Sequence, residues 1–320
     1  MDKLRVAMIG AGAMARLHLD VLQSLEDVEV VAISSRGIER LEKLAKDCGI
    51  CQRFRNNDEM LETVKPDAVV VTVNAANVYD VALTCIKHRV SGLIEKPPGL
   101  DAAQTEGLLK TSRGVEGQYM VGLNRRFYSV IQNAKKLVDD SGGLVSIVVH
   151  HTEDIAAVRA AEFHPPEVLE RWLAANGVHC IDLLRFLGGE VVSVHALSSA
   201  WHDTSRNSFG ALIRHNGGAI GHFISNWTAP GRWEVTLYGF DMRVDISPLE
   251  EAKLIRRGGS IFTVPRDDVD ARFKPGLYAQ DKYFVEHVKA KAPIERPAAN
   301  LEDALDTMRL VEAIAFSQID

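Results

Sequence analysis

The chain of 320 residues is 46% hydrophobic and 25% charged, which is typical of a soluble globular protein and long enough for two domains. A formal net charge of −6 argues against a nucleic-acid or anionic-membrane partner. No apolar run is long enough to span a bilayer, and the first residues lack the layout of a signal peptide. The four cysteines fit a reducing compartment, so we expect a cytoplasmic protein.

The N-terminal part alternates short apolar runs with amphipathic stretches. Strands are predicted at 4–10, 28–34, 67–73, 91–95 and 118–124, and helices at 14–25, 37–47, 57–64 and 77–88. Successive βα units form a parallel sheet with helices on both faces. The pattern therefore predicts an α/β domain with a doubly wound sheet over residues 1–122.

The pattern changes from about residue 144, where strands follow one another with Gly, Asn or Asp at the turns. Strands are predicted at 145–151, 191–197, 208–215, 219–227, 233–240 and 242–246, and helices at 128–140, 178–187, 277–290 and 301–317. This indicates a second, α+β domain with an antiparallel sheet over residues 123–320. Its strands carry more alternating apolar residues than one layer of helices can cover. We therefore expect an exposed face of this sheet to form the interface of a homo-oligomer, a dimer or a tetramer.

The first predicted strand runs into a glycine-rich loop and then a helix, which is the context that makes a GxGxxG/A fingerprint credible. Gly10 allows a tight turn, Gly12 lets the backbone approach a pyrophosphate, and Ala15 permits close packing of helix on strand. The N–H groups at the helix N-terminus favour phosphate. These features predict dinucleotide binding by Gly10, Ala11, Gly12, Ala13 and Met14.

The end of the second strand bears on the choice of dinucleotide. An NAD site places an acid about twenty residues beyond the fingerprint to bond the ribose 2′-hydroxyl. Residues 32–38 contain no acid, and Ser34, Ser35 and Arg36 stand there instead. A hydroxyl and a guanidinium suit a 2′-phosphate. We therefore expect Ser35 and Arg36 to bind NADP; the alternative is that Arg36 is a solvated residue and that NAD binds.

The fifth predicted strand ends in Glu95 and Lys96, followed by two prolines. In a doubly wound sheet this strand tip lies beside the nicotinamide. A lysine there can bond the reacting oxygen, which makes Lys96 a catalytic candidate and places Glu95 at the cofactor. The alternative is a strand that is merely capped by a solvated loop.

These features resemble the Gfo/Idh/MocA family, named after glucose–fructose oxidoreductase, inositol dehydrogenase and rhizopine catabolism. The resemblance covers essentially the whole chain and rests on GAGAMA at 10–15, EKP at 95–97, NRRF at 124–127, GVHCIDLLRFLGG at 177–189 and LEDAL at 301–305. It implies a Rossmann domain followed by an α+β domain with a large open, mostly antiparallel sheet. It also implies hydride transfer between NAD(P) and a sugar, polyol or nucleotide sugar.

By this resemblance Lys96 orients the substrate and shares in proton transfer, and His179 is the acid/base. An imidazole titrates near neutrality, which fits that role. Asp182 lies three residues further on the same helical face and is expected to fix the tautomer of His179. The alternative is that His179 is a satisfied histidine at a domain seam.

The sequence departs from the family pattern at Ala175, where many members carry an aspartate, and at Asn74, which we place at the cofactor. Either the proton route then rests on Lys96 and His179, or the substrate differs from inositol-like polyols. A sugar ring is expected to meet side chains that stack or form hydrogen bonds; the candidates are Arg126, Tyr128, Trp172 and Asn176. Arg125 or Arg126 can equally be a surface ion pair.

No metal site is predicted, because the eleven histidines are scattered. Cys48 and Cys51 have the spacing of a redox motif, but they follow a predicted helix rather than precede one, so a structural role is expected. The expected function is an NADP-dependent oxidoreductase acting on a sugar or nucleotide sugar. The alternatives are a redox-neutral sugar-processing enzyme with tightly held cofactor and a non-catalytic NAD(P)-binding regulator, which Ala175 would favour.

Overall fold

The computed structural model describes residues 3–316, which group into two compact units. The first unit consists of the chain up to Asn124 together with Val269–Leu305. The second consists of Arg125–Asp268 together with the residues from Asp306 onward. The predicted division of the chain into 1–122 and 123–320 has a single boundary, and it stays a prediction.

The first unit is built on a seven-stranded sheet. Its strands are β1 (Leu4–Ile9), β2 (Val28–Ser34), β3 (Gln52–Phe54), β4 (Ala68–Val71), β5 (Ser91–Glu95), β6 (Tyr119–Gly122) and β15 (Ala299–Asn300). Their order is β15-β6-β5-β4-β1-β2-β3, and β1 to β6 are parallel while β15 is antiparallel to β6. The predicted parallel sheet is thereby confirmed, and its central strands β1 and β4 are almost wholly buried.

Helices connect these strands. They are α1 (Ala13–Leu22), α2 (Ile38–Asp47), α3 (Asn57–Val64), α4 (Ala75–Lys87), α5 (Ala102–Ser112), α10 (Val269–Arg272) and α11 (Leu277–Ala290). The pattern did not predict β3, which is short and largely exposed, or α5. The available signal for α5 was Asp101, whose side chain accepts a bond from the backbone N–H of Gln104 at 2.8 Å and so caps the helix.

The second unit is built on an eight-stranded sheet. Its strands are β7 (Leu144–Thr152), β8 (Val191–Ser199), β9 (Ser208–His215), β10 (Ile220–Asn226), β11 (Glu234–Gly239), β12 (Met242–Ile246), β13 (Ala252–Arg256) and β14 (Ile261–Thr263). Their order is β14-β13-β12-β11-β7-β10-β9-β8. Neighbours are antiparallel except β7 and β10, which run parallel. The predicted mostly antiparallel sheet is confirmed.

One face of this sheet packs on helices and buries Ile147, Val149 and Phe223. The helices associated with the unit are α6 (Ser129–Asp140), α7 (Ile155–Ala160), α8 (Pro166–Glu170) and α9 (Val178–Gly188); α12 (Leu301–Ala315) follows β15. The predicted end of the last helix at residue 317 lies outside the described residues. No helix within residues 3–316 combines the length and the apolar character that a membrane crossing requires.

Candidate active site

The glycine loop lies between β1 and α1, at the carboxyl end of the parallel sheet. Gly10 has a φ of +116°, and a Cβ there would lie 2.8 Å from the carbonyl oxygen of Thr72. The protein's own backbone therefore requires glycine at this position. At Gly12 a Cβ would meet no described protein atom within 4 Å. The backbone of Gly12 is thus open to a ligand, as a pyrophosphate site requires.

The end of β2 carries the residues predicted to recognise the 2′-position of the cofactor. Arg36 is exposed, and its Nη2 donates to Oδ1 of Asn77 at 3.0 Å. The amide Nδ2 of Asn77 in turn donates to Oδ1 of Asn74. Two predicted cofactor residues are therefore joined through Asn77, which the sequence alone did not indicate. Ser35 stands next to Arg36 and is partly buried.

The strand tip after β5 contains a buried charge network. Nε2 of His18 lies 3.2 Å from Oε1 of Glu95, and its Nδ1 lies 2.8 Å from Oδ2 of Asp281. Burial alone would lower the pKa of His18, but the two carboxylates outweigh burial and raise it to about 10. His18 is therefore a cation at neutral pH and donates to both acids. Chain order could not reveal this pairing, because Asp281 comes from α11.

Glu95 itself is held ionised by its neighbours. Burial would raise the pKa of Glu95, but the bond to His18 and the charges of Lys96 and Lys274 bring it below its usual value. Lys96 is partly buried, and its peptide bond to Pro97 is cis. Nζ of Lys274 lies 3.3 Å from Sδ of Met14, so a second lysine reaches the glycine loop.

The His18 network makes stability depend on pH. A group whose pKa rises from 6.5 to about 10 on folding stabilises the fold below pH 6.5, and this contribution is lost as the pH rises toward 10. We expect urea-induced unfolding of the wild type to become easier across this range, by up to about 1.4 kcal/mol per pH unit. His18→Gln should be less stable at pH 7 and should lack this part of the slope.

His88→Gln is the matched control, because His88 also contacts a carboxylate, that of the largely exposed Asp58. This control should keep the wild-type slope of unfolding free energy against pH. Equal slopes for wild type and His18→Gln would show that His18 is not a buried cation.

In the second unit, His179 lies in the first turn of α9 and is 7% exposed. Asp182 on the same helix is bound by Arg126, whose Nε donates to Oδ2 at 2.7 Å and whose Nη2 donates to Oδ1 at 2.6 Å. Oγ1 of Thr307 donates to the same carboxylate at 2.9 Å. Arg126 is fully buried, so it forms an interior ion pair and not a surface one. A role of Asp182 in orienting His179, or of Arg126 in binding substrate, stays a prediction.

Two of the predicted substrate-binding residues meet at a carboxylate that the sequence did not single out. Nδ2 of Asn176 donates to Oε1 of Glu153 at 2.7 Å, and Nε1 of Trp172 donates to Oε2 at 3.4 Å. Nε2 of His151 lies 3.2 Å from the same Oε1. Glu153 directly follows β7, and its position at the end of a strand was the only available signal. We name these four residues the Glu153 cluster.

His151 is fully buried at the base of this cluster. Burial lowers its pKa more than Glu153 raises it, so the ring is neutral at pH 7. Its Nδ1 lies 2.9 Å from Oγ of Ser225, and the same Oγ accepts a hydrogen bond from Nε1 of Trp227 at 2.9 Å. The carboxylate favours the single ring proton on Nε2, and Nδ1 then accepts from the hydroxyl of Ser225.

A cavity of about 500 Å³ opens beside Glu153, lined by residues 152–156 and 227–231. A volume of this order lies in the range of small-molecule sites. Tyr128, the fourth predicted substrate residue, is buried, and the guanidinium of Arg125 lies 5.8 Å from its ring. The same guanidinium lies 4.2 Å from the ring of Trp233. Arg125 is thus held by aromatic rings and makes a cation–π contact.

The two cysteines with redox spacing do not form a disulfide. Cys48 caps the C-terminus of α2, and Cys51 is exposed. Burial raises the pKa of the Cys48 thiol above its usual value. A raised pKa disfavours the thiolate that redox chemistry needs, which agrees with a structural role.

Comparison with known proteins identifies the family of the chain. The model of the oxidoreductase family with an NAD-binding Rossmann fold matches residues 4–123, and that of the GFO/IDH/MocA C-terminal domain matches residues 131–245. The chain belongs to the Gfo/Idh/MocA family of oxidoreductases. The family assignment made from the motifs is confirmed, as is an NAD(P)-binding Rossmann domain.

The similar proteins and solved structures are distant in sequence. Myo-inositol 2-dehydrogenase of Thermotoga maritima is 23% identical, over 94% of this chain and 92% of that enzyme. UDP-N-acetylglucosamine 3-dehydrogenase from Acidithiobacillus ferrooxidans superposes with a TM-score of 0.80 at 18% identity, over 98% of this chain and 97% of that one. Levoglucosan dehydrogenase in complex with NADH superposes with a TM-score of 0.84 at 15% identity, over 98% of this chain and 96% of that one. At these identities the structural likeness shows the fold alone.

Proposed function

We propose that this member of the Gfo/Idh/MocA family is an NADP-dependent oxidoreductase that moves a hydride between nicotinamide and a hydroxyl or ketone of a sugar, polyol or nucleotide sugar. The observation that carries the proposal is the open backbone at Gly12 in the same sheet edge as the Glu95–Lys96 strand tip. The names of its relatives support the substrate class, since they include dehydrogenases of inositol and of UDP-N-acetylglucosamine.

The glycine loop, from Gly10 to Met14, would hold the pyrophosphate through backbone N–H groups. α1 begins after Gly12 with no side-chain cap, so its first N–H groups suit phosphate oxygens. Ser35 and Arg36 would hold the 2′-phosphate, and Asn74 would lie along the cofactor. When bound, nicotinamide accepts or supplies the hydride.

Lys96 and His179 would handle the oxygen and its proton. In the oxidative direction, the ammonium of Lys96 donates a hydrogen bond to the reacting oxygen and stabilises the negative charge that develops on it. The hydroxyl proton passes to a ring nitrogen of His179 while the hydride leaves the carbinol carbon. In the reductive direction His179 returns this proton to the oxygen. Asp182 would orient the imidazole.

The cofactor preference rests on Arg36. Because Arg36→Ala removes a charge-assisted bond to the 2′-phosphate, we expect NADPH to bind about tenfold to a hundredfold more weakly. NADH has no 2′-phosphate, so its affinity should stay nearly unchanged. Titration of protein with each reduced cofactor, followed by nicotinamide fluorescence, measures both. Arg113→Ala, an exposed arginine just beyond α5, is the matched control. Equal losses for both cofactors in Arg36→Ala would refute the assignment.

Turnover of a carbohydrate panel tests the function itself. The protein is incubated with neutral polyols, sugars and nucleotide sugars, each with NAD⁺ and with NADP⁺, and reduced nicotinamide is followed by its absorbance. We expect steady accumulation of reduced cofactor with at least one compound. Product formation without net cofactor reduction would favour the redox-neutral alternative. Cofactor binding without conversion of any compound would favour the non-catalytic regulator, which the missing carboxylate at Ala175 supports.

We also propose that the protein is a homo-oligomer. The face of the eight-stranded sheet opposite Phe223 and Val149 carries exposed apolar side chains, among them Leu197, Leu212 and Ile224. Leu212 and Leu197 are 47% and 62% exposed. A neighbouring copy that covers this face would remove the apolar area from water.

A further inference from the structure

The carboxylate of Glu153 is arranged to accept from a ligand. Among residues 3–316, no lysine or arginine forms an ion pair with it; it accepts hydrogen bonds from the neutral N–H groups of Asn176 and Trp172, and Nε2 of His151 lies 3.2 Å away. A carboxylate offers about four acceptor positions. Asn176 and His151 approach Oε1, whereas Oε2 has a single long contact of 3.4 Å from Trp172. Oε2 therefore keeps acceptor capacity for hydroxyl donors.

The side chains beneath the carboxylate fix it in place. His151 is fully buried, and its Nε2 faces Glu153 at 3.2 Å without an aligned hydrogen bond. Asn176 anchors the other side of Oε1 from the turn at Leu173–Gly177, just before α9. The side chain of Glu153 is only 10% exposed, so its charge lies in a partly desolvated position. An acceptor held in this way loses little entropy when a ligand binds.

The charge of the cavity selects among ligands. The lining, residues 152–156 and 227–231, contains two acids, Glu153 and Asp154, and no lysine or arginine. Two arginines are near but are not part of the lining: Arg125 lies over the ring of Trp233, and the exposed Arg232 directly follows Gly231. A cavity with two carboxylates and no cation in its lining repels phosphate and carboxylate groups and attracts hydroxyl donors.

We propose that Glu153 is a substrate-binding residue that accepts hydrogen bonds from hydroxyls of a neutral sugar or polyol and disfavours anionic substrates. The proposal rests on the proposed oxidoreductase function and narrows its substrate class to uncharged polyhydroxyl compounds, away from sugar phosphates, sugar acids and nucleotide sugars. The cavity of about 500 Å³ has room for a monosaccharide-sized ligand. Ala175, in the turn at Leu173–Gly177, has no carboxylate. Glu153 is bound by Asn176 of the same turn and so supplies a carboxylate there.

Tryptophan fluorescence provides a readout that needs no turnover. Trp172 bonds Glu153 and Trp227 lines the cavity, whereas Trp201 is 65% exposed and serves as background. Wild-type protein is titrated with the neutral compounds myo-inositol, D-glucose and D-xylose, and with the anions D-glucuronate and glucose 6-phosphate. We expect saturable quenching by at least one neutral compound and weaker binding of the anions.

Glu153→Gln removes the charge but keeps the shape. Because hydrogen bonds to a charged acceptor are stronger than those to a neutral one, we expect the neutral compound to bind about tenfold to a hundredfold more weakly. The difference in affinity between the neutral compound and glucuronate should become smaller. Glu251→Gln is the matched control: it makes the same change at an exposed glutamate of the second unit that is not part of the lining. Its affinity for the neutral compound should stay within about threefold of wild type.

Glu153→Asp keeps the charge but withdraws it by one methylene, and it serves if Glu153→Gln fails to fold. It should lose affinity for the neutral compound yet keep the discrimination against anions. The proposal is overturned if either Glu153 variant binds the neutral compound like wild type. Preference of the wild type for an anion, or quenching by none of the neutral compounds, overturns it as well.

The same proteins separate this proposal from the proposed function. If the wild type reduces nicotinamide with a neutral sugar and Glu153→Gln leaves its KM unchanged, the oxidoreductase stands and the role of Glu153 falls. If neutral compounds bind through Glu153 but none is oxidised with either cofactor, the binding site stands and the oxidoreductase falls.

Discussion

Replacing Lys96 by methionine is expected to slow hydride transfer about 10²–10⁴-fold, because methionine keeps much of the side-chain volume but has no N–H to donate to the reacting oxygen. The rate is measured in a single turnover, with protein saturated by cofactor and mixed with the substrate found in the panel. Cofactor affinity should change far less, since the phosphates and the adenine are expected to bind elsewhere.

Lys110→Met is the matched control for Lys96→Met. Lys110 lies on α5 of the same unit, is largely exposed and pairs with Glu106 at 2.9 Å, so its loss should leave the rate unchanged. A wild-type rate in Lys96→Met would mean that the lysine only caps the end of β5. The buried network of Glu95 with His18 and Asp281 would then only stabilise the strand tip and have no part in catalysis.

Valine at Gly12 is expected to abolish binding of the dinucleotide while the protein still folds. The backbone there has a φ of −91°, which suits any residue, and a Cβ meets no described protein atom within 4 Å. The added side chain would instead occupy the space that a pyrophosphate needs. Fluorescence titration with NADPH and NADH measures the loss, and circular dichroism with thermal unfolding checks the fold.

Gly10→Ala is the informative counterpart to the Gly12 variant. At Gly10 the added Cβ lies within 3 Å of Thr72, and φ is +116°, so alanine should destabilise the protein itself. The two glycines of one motif thus have different reasons to be glycine. Cofactor titration of Gly12→Val that matches wild type would show that the pyrophosphate does not lie at this loop.

Much of the first unit could be predicted because its signals are local. The apolar runs 28–34 and 91–95 coincide with β2 and β5, and the loop after β1 follows from its glycines. The second sheet could be recognised from successive strands of alternating apolar residues with Gly, Asn or Asp at the turns, although the parallel pairing of β7 with β10 could not be predicted. Alternation shows which face of a strand is buried, but it does not show which strand is its neighbour.

The features that could not be predicted depend on contacts between distant parts of the chain. His18 meets Asp281 only because Val269–Leu305 returns to the first unit, and nothing in the local pattern shows this return. From the sequence, Arg126 was expected to lie at the surface or to bind substrate, but it is buried and paired with the carboxylate of Asp182 on α9. The sequence alone indicates no role for Glu153, which is one acid after a strand. Only its contacts with Trp172 and Asn176 indicate a binding role.

Transfer of deuterium tests hydride transfer most directly. Protein saturated with NADP⁺, and separately with NAD⁺, is mixed in a single turnover with a neutral polyol that quenches its tryptophan fluorescence and that carries deuterium on its carbinol carbons. The cofactor is then analysed by mass spectrometry. We predict reduced nicotinamide that carries deuterium from the polyol, with a much slower appearance in Lys96→Met. Cofactor that stays oxidised, or that is reduced without deuterium, would contradict the assignment as a hydride-transferring enzyme.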